Sequence, residues 1–392
     1  MNNLRKGVFF LIAISVLASC KDKDAMITDD ITSNPTEQEI ISKYLTIDLS
    51  SLDEYIELNY PIHYNDAVLS NDNSLINNPV TNVGATLGRV LFYDKNLSVN
   101  NTVACASCHV QNKGFTDDKK LSIGFEGGET GAHSMRLLNT RFYAGNNMFW
   151  NKRSTSVENQ STQPIKDAVE MGFDSIHGGF DNLISKMKGL EYYPILFKRA
   201  FGNEEITETK VQRAIAQFVR SIVSINSKFD EGFAQVYNAT APGNNVGQPF
   251  PNFTQQENMG KNLFLAPPNA PGGGGAGCAG CHNPPTFALA ANSLSNGLDA
   301  GETTIFKSPS LKNIGVVGPY MHDGRFATLA EVVKHYSTEV QPGPALDNRL
   351  NPNGTPQRLN LNQNQIDALV AFMQTLTDNI VMQDKKFSDP FR

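Results

Sequence analysis

The chain has 392 residues and a formal net charge of −6, from 33 Lys and Arg against 39 Asp and Glu. That balance excludes the basic footprint of a nucleic-acid-binding protein. The length exceeds what one hydrophobic core usually serves, so two domains are expected.

The N-terminus reads as an address. Arg5 and Lys6 precede an apolar run from Val8 to Val16, too short to span a bilayer as a mature helix. Leu17-Ala18-Ser19-Cys20 resembles a bacterial lipoprotein processing box. The resemblance implies removal of residues 1–19 and acylation of Cys20, with multiple acyl chains holding the protein on a membrane. The alternative is an ordinary secretory signal with an incidental cysteine. Both readings export the protein, to face the periplasm or the cell surface.

Residues 20–46 are polar and read as a tether. A first domain is expected over 47–237. Its opening stretch to Asn82 carries no clear pattern, and Ala85–Tyr93 is an apolar helical run. Gly128–Gly131 and Gly178-Gly179 mark loops. Gln212–Ile225 places Ile215, Phe218, Val219 and Ile222 at helical spacing. Residues 238–253, rich in Pro, Gly and Asn, read as an interdomain linker. The second domain, 254–392, opens with a helical run through Phe264. It closes with a helix from about Asn364 to Leu376 whose buried stripe is Ile366, Leu369, Val370, Phe372 and Met373. The halves echo one another. Gly88 precedes Cys105 by 17 positions, and Gly260 precedes Cys278 by 18. Strand signals are sparse, so the class is mainly α with little β.

Four of the five cysteines form two copies of one pattern, Cys105-Ala106-Ser107-Cys108-His109 and Cys278-Ala279-Gly280-Cys281-His282. In an oxidising compartment four idle thiols are a liability. A zinc site would need the pairs much closer in sequence, and a thioredoxin-like pair does not need a trailing histidine twice. Cys-x-x-Cys-His is a haem attachment pattern. Two thioether anchors on one turn place the next imidazole against the iron. The sequence therefore predicts two covalent c-type haems, at Cys105 and Cys108 with His109, and at Cys278 and Cys281 with His282, in two cytochrome c-like domains with long loops.

The segments around these pairs narrow the reading. Leu87–Asp94, Leu97-Ser98, Gly114-Phe115-Thr116-Asp117, Lys307–Ile314 and Pro319–Phe326 together resemble the bacterial di-haem cytochrome c peroxidases and their relative, the methylamine-utilisation di-haem oxidase. The resemblance runs from about Asn82 to Asn379. It implies peroxide chemistry at the N-terminal haem and electron entry at the C-terminal one. It implies that Trp150, the only tryptophan, is an electron relay between haems. It also implies that Gln160, Pro164 and Glu170 line the open face of the peroxidatic haem. A partly buried carboxylate there can move a proton between peroxide oxygens, and a neutral amide can orient peroxide.

Many family members cap this iron with a loop histidine, but Ile123–Gly131 contains none, so an open iron is expected. His133 stands where the family has an asparagine beside an interdomain calcium. If the ion is held here, the carbonyls of Val317 and Pro319 are its donors. At the second iron the residue matching the family's methionine ligand is Tyr336, with Met321 and His335 as alternatives. His322 is a candidate group between the haems. Three readings follow. One is a peroxidase reducing hydrogen peroxide with electrons from a small cytochrome c or cupredoxin. The second is an oxidase that uses peroxide on a protein or organic substrate. The third is a non-catalytic electron carrier. A homodimer is compatible with all three.

Overall fold

The computed structural model describes residues 35–145, 147–271, 274–288 and 292–392. The signal expected at residues 1–19 and the anchor Cys20 lie outside them. Among the described residues, eight helices of eight or more residues carry the fold: α1 (Glu37–Tyr44), α2 (Asn82–Tyr93), α3 (Gly179–Lys188), α4 (Tyr192–Phe201), α5 (Glu208–Ser221), α6 (Lys228–Val236), α7 (Gln255–Leu265) and α8 (Gln363–Gln374). Extended segments of the described residues meet only as isolated bridges, among them Val110 with Thr116 and Asn283 with Ala288. The architecture is mainly α with long irregular connections. No helix of the described residues is long and apolar enough to cross a membrane.

Two helix crossings form the frame, and they are built alike. Thr81 caps α2 by accepting from the Gly84 amide, and Thr254 and Asn362 cap α7 and α8 in capping boxes. α2 packs on α5, and α7 on α8. Each pair approaches closely because a glycine faces a backbone carbonyl. A Cβ on Gly88 would overlap the Ala214 oxygen, and one on Gly260 the Ala368 oxygen. The aromatic residues follow in register. Phe92 meets Phe218 at 5.2 Å and Phe115 at 6.4 Å, while Phe264 meets Phe372 at 5.0 Å and Phe287 at 5.8 Å. Large buried rings of this kind dominate core energetics.

Two main cores result. The first gathers Leu87, Leu91, Phe197 and Phe218 together with Val381 and Phe387 from the end of the chain. The second gathers Phe250, Phe264, Phe287 and Phe372 together with Phe229 and Phe233 of α6. Each half thus lends a segment to the other's core, and residues Glu37–Arg392 cluster as one unit.

Three local expectations change. Structure begins within the polar stretch that read as a tether, because α1 buries Ile41 fully and Leu45 pairs with Phe391. Gly178 and Gly179 open α3 instead of marking only a loop, with Gly178 as its left-handed N-cap. α5 starts at Glu208, four residues before the expected start at Gln212, where Thr207 accepts from the Lys210 amide.

The crossings give the first expectation. Ala normally improves on Gly in a helix by about 0.5–1 kcal/mol, but Gly88→Ala and Gly260→Ala must push apart two backbones. Overpacking costs about 1–3 kcal/mol or more, so both variants lose stability in denaturant unfolding followed by circular dichroism. Gly131→Ala, where a Cβ meets open space, is the control and stays within about 0.5 kcal/mol of the parent.

Candidate functional site

Each Cys-x-x-Cys-His motif makes a short helical turn, Cys105–Cys108 and Cys278–Gly280. None of the four motif cysteines is in a disulfide. Burial pushes Cys105 and Cys278 up to about 12 and Cys108 and Cys281 up to about 11. Such thiols are not the low-pKa nucleophiles of a disulfide exchanger.

The histidines are held in the same way. His109 Nδ1 lies 3.2 Å from the Phe115 carbonyl and 3.1 Å from Ser134 Oγ, and that hydroxyl donates to the Cys108 carbonyl at 2.7 Å. His282 Nδ1 lies 3.2 Å from the Phe287 carbonyl, 3.1 Å from the Pro309 carbonyl and 3.2 Å from Ser308 Oγ, which donates to the Cys281 carbonyl at 2.8 Å. To aim their carbonyls inward, Phe115 and Phe287 take left-handed φ of 56° and 55°, a conformation costing about 1–2 kcal/mol each. Burial pushes both imidazoles down to about 4. They are therefore neutral, with the proton on Nδ1 and the Nε2 lone pair available to a metal.

Around the second motif is a cavity of about 590 Å³, walled by Cys278, Cys281, His282, Trp150, Met321 and Tyr336 and otherwise largely by aliphatic and aromatic side chains. That volume lies in the range of small-molecule sites. Tyr336 and Met321 both face this space. Burial raises the Tyr336 phenol well above its ordinary value, and Met321 Sδ receives Asn296 Nδ2 at 3.4 Å. His335 Nε2 instead meets the Asn296 carbonyl at 3.0 Å. Two thiols and a neutral imidazole on one turn, beside an apolar cavity, fit a covalently held tetrapyrrole.

Trp150 sits in a tight turn closed by the Met148–Ser154 bridge, with Phe149 and Lys152 both left-handed. Its indole N–H donates to the His133 carbonyl at 2.8 Å, and its own carbonyl accepts from the Lys307 amide at 2.8 Å. The next residue in each case, Ser134 or Ser308, touches a motif histidine. Trp150 therefore joins the two histidine cradles through both ends of one residue. His322 lies edge-on to the indole at 6.5 Å and stacks on Phe306 at 4.2 Å.

Glu170 follows a turn in which Asp167 accepts from the amides of Val169 and Glu170. The loop Ile123–Gly131 packs on this turn. The Phe125 amide donates to the Glu170 carbonyl at 3.1 Å, and the Phe125 ring fills the place of a side chain at Gly172. The Glu170 carboxylate has no hydrogen-bond or ion-pair partner among the described residues. Burial first, and Asp167 second, push it up to about 7. After burial, its charge is one of the influences that raise Cys105 and Cys108, so it stands beside the first motif. Gln160 lies near the end of the turn of helix Val157–Ser161. That turn is pinned to α5 by a buried bidentate pair, Arg220 with Glu158, at 2.5 and 2.9 Å.

At the expected calcium donors, the Val317 carbonyl accepts from the Arg136 guanidinium, so a cationic side chain already occupies one of them. No group of three or more His, Cys, Asp or Glu able to hold a metal occurs among the described residues. His133 is buried, with Nδ1 2.9 Å from the Lys119 carbonyl.

The sequence model of the di-haem cytochrome c peroxidase family matches residues 82–237. The methylamine utilization protein MauG of Methylorubrum extorquens is 30% identical over 314 residues, covering 76% of this chain and 79% of that one. The chain belongs to the di-haem cytochrome c peroxidase family. The cytochrome c551 peroxidase of Nitrosomonas europaea is 29% identical over 314 residues, covering 75% and 79%. A crystal structure of a MauG-like protein associated with microbial copper homeostasis superposes with a TM-score of 0.63 at 28% identity, covering 81% of this chain and 95% of that one. The diheme peroxidase BthA of Burkholderia thailandensis shares the fold at 18% identity, with a TM-score of 0.60 over 80% and 91%. The family is an oxidoreductase family of both cytochrome c peroxidases and MauG-like di-haem proteins, and membership implies two c-type haems.

Sequence reasoning missed Ser134 and Ser308. Ser134 lies 25 positions beyond His109 and Ser308 lies 26 beyond His282, a spacing that alignment of the two halves would have exposed. The haem count gives a direct check. The parent protein is expected to hold two covalent haems by pyridine haemochrome assay. A variant with Cys278→Ala and Cys281→Ala is expected to keep one.

Proposed function

We propose that this protein is an exported di-haem peroxidase that reduces hydrogen peroxide to two waters with two electrons and two protons. The observation that carries the reading is Glu170, a partly buried carboxyl beside Cys105 and Cys108 with no hydrogen-bond partner among the described residues; burial and Asp167 push it up to about 7 against the opposing charge of Arg153. When bound, the haem at His109 supplies a Lewis-acidic iron and the electrons that cleave the O–O bond. Glu170 takes the proton from one peroxide oxygen and returns it to the other, which leaves as water. The Gln160 amide orients peroxide without competing as a ligand. Phe125 fixes the Glu170 turn, its ring packed at Gly172 and its amide donating to the Glu170 carbonyl. Ile123–Gly131 offers no histidine that would cap an iron held by His109, so activation by prior reduction would not be needed. Cys278, Cys281 and His282, with Tyr336 from the cavity wall, would hold the second haem, which would accept electrons from a small cytochrome c or cupredoxin; Trp150, hydrogen-bonded to both histidine cradles, would be the relay. Lipid anchoring at Cys20 would hold the molecule on a membrane in an exported compartment.

A second reading, a di-haem oxidase acting on a protein or organic substrate, is favoured by Tyr336 in the second cavity and by the MauG relatives. Turnover separates the two. The peroxidase oxidises reduced cytochrome c or cupredoxin in the steady state, whereas the oxidase consumes peroxide without oxidising such donors.

The role of Glu170 has a clear pH signature. The ionised carboxylate is the form that accepts the proton, so the rate of reaction with peroxide should fall as pH drops through about 7. Glu170→Gln should lower that rate by roughly two to four orders of magnitude and remove the acidic limb. An unchanged rate and limb in stopped-flow measurements would take Glu170 out of the mechanism.

A further inference from the structure

Among the described residues, Lys307 and Arg136 are buried cations without a carboxylate partner. Several other buried cations are paired with a carboxylate. Arg220 is paired with Glu158, Lys312 with Asp230 at 2.5 Å, and Arg89 with Asp53 at 2.7 Å. Lys261 donates to the carbonyls of Val246 and Gln248 at 2.6 Å each.

Among the described residues, Lys307, 6% exposed, meets the thioether of Met148 at 3.4 Å and the ring face of Tyr143 at 4.3 Å. Arg136, 9% exposed, donates to the Val317 carbonyl and lies 5.7 Å from the Tyr320 ring, while its Nε has no partner. Neither has a carboxylate partner among the described residues. Both line the cavity that contains Cys278, Cys281 and His282. Burial drives Lys307 down to about 7 and Arg136 to about 10.

Desolvating a cation costs several kcal/mol unless an anion compensates it. A tetrapyrrole held by Cys278 and Cys281 brings two propionate carboxylates into the same apolar space. Left unpaired, each of these would be equally costly to bury. Two cations facing two anions neutralise the cavity, and charge-assisted hydrogen bonds between them are strong. We infer that Lys307 and Arg136 are the groups that pair with the propionate carboxylates of the tetrapyrrole bound in this cavity. This rests on the binding of haem and not on peroxide turnover, so it survives failure of the peroxidase reading.

The test is spectroelectrochemical titration of the holoprotein, comparing the parent with Lys307→Met, Arg136→Met and the conservative Lys307→Arg. Removing a compensating cation leaves a carboxylate charge that favours ferric iron. The second haem's midpoint potential is therefore expected to shift downward in both methionine variants, with the haem content unchanged, and Lys307→Arg is expected to restore it. Unchanged potentials in both methionine variants would overturn the assignment. So would a parent potential that responds to added phosphate or acetate and loses that response in Lys307→Met, since the site would then take a free anion. If the variants do not accumulate, a crystal structure of the parent holoprotein decides. Carboxylate oxygens within about 4 Å of Lys307 Nζ and Arg136 support the pairing, and other partners there refute it.

Discussion

The rest of the molecule depends on how two imidazoles are held. Each motif histidine is gripped at Nδ1 by a phenylalanine carbonyl and a serine hydroxyl, so that only Nε2 is left to bind a metal. The grip needs a left-handed phenylalanine. The cost of that conformation is met because the Phe115 and Phe287 rings are locked into aromatic clusters with Phe92 and Phe264. Those clusters exist because α2 and α7 approach α5 and α8 closely, which in turn requires Gly88 and Gly260. One chain of causes, from a missing side chain to a ring nitrogen, is thus written twice in a single polypeptide.

What the copies do not share is where function divides. Beside the first motif stands Glu170, a carboxyl with no hydrogen-bond partner among the described residues, under a loop without histidine. The second motif faces a cavity with a buried tyrosine, a methionine and two buried cations. On the proposed reading, proton transfer belongs to the first set of surroundings and electron storage to the second, within one repeated frame. Trp150 lies where the frames meet. Its indole reaches one cradle and its carbonyl the other, in a turn with two left-handed side-chain-bearing residues. Strain of that kind persists where surrounding contacts over-determine the conformation.

Much of this was legible in the sequence. The Cys-x-x-Cys-His pairs, the echo of Gly88 in Gly260 and the apolar stripes of α5 and α8 are local signals, and local signals survive folding. The rest depended on residues far apart. α1 reads as polar tether because its single fully buried residue, Ile41, is covered by distant segments of the chain. Thr46 Oγ1 donates to the Pro390 carbonyl across 344 positions, a pairing that no local pattern announces. Ser134 and Ser308 look like ordinary loop serines until the histidines are placed. Nothing local in the sequence marks Lys307 or Arg136 as buried, since lysine and arginine are rarely buried unpaired; the fold places both against the cavity. The chemical roles of Gln160, Glu170 and Tyr336 came from family resemblance, because one carboxylate, amide or phenol in a long chain has no spacing to betray it.

The central claim is that two like cradles hold two haems of unlike ligation, one open and one closed. Electron paramagnetic resonance of the ferric protein at low temperature tests it most directly. The account predicts one high-spin and one low-spin centre, with the high-spin signal alone responding to hydrogen peroxide. Two low-spin centres inert to peroxide, or a chain carrying no haem, would contradict it.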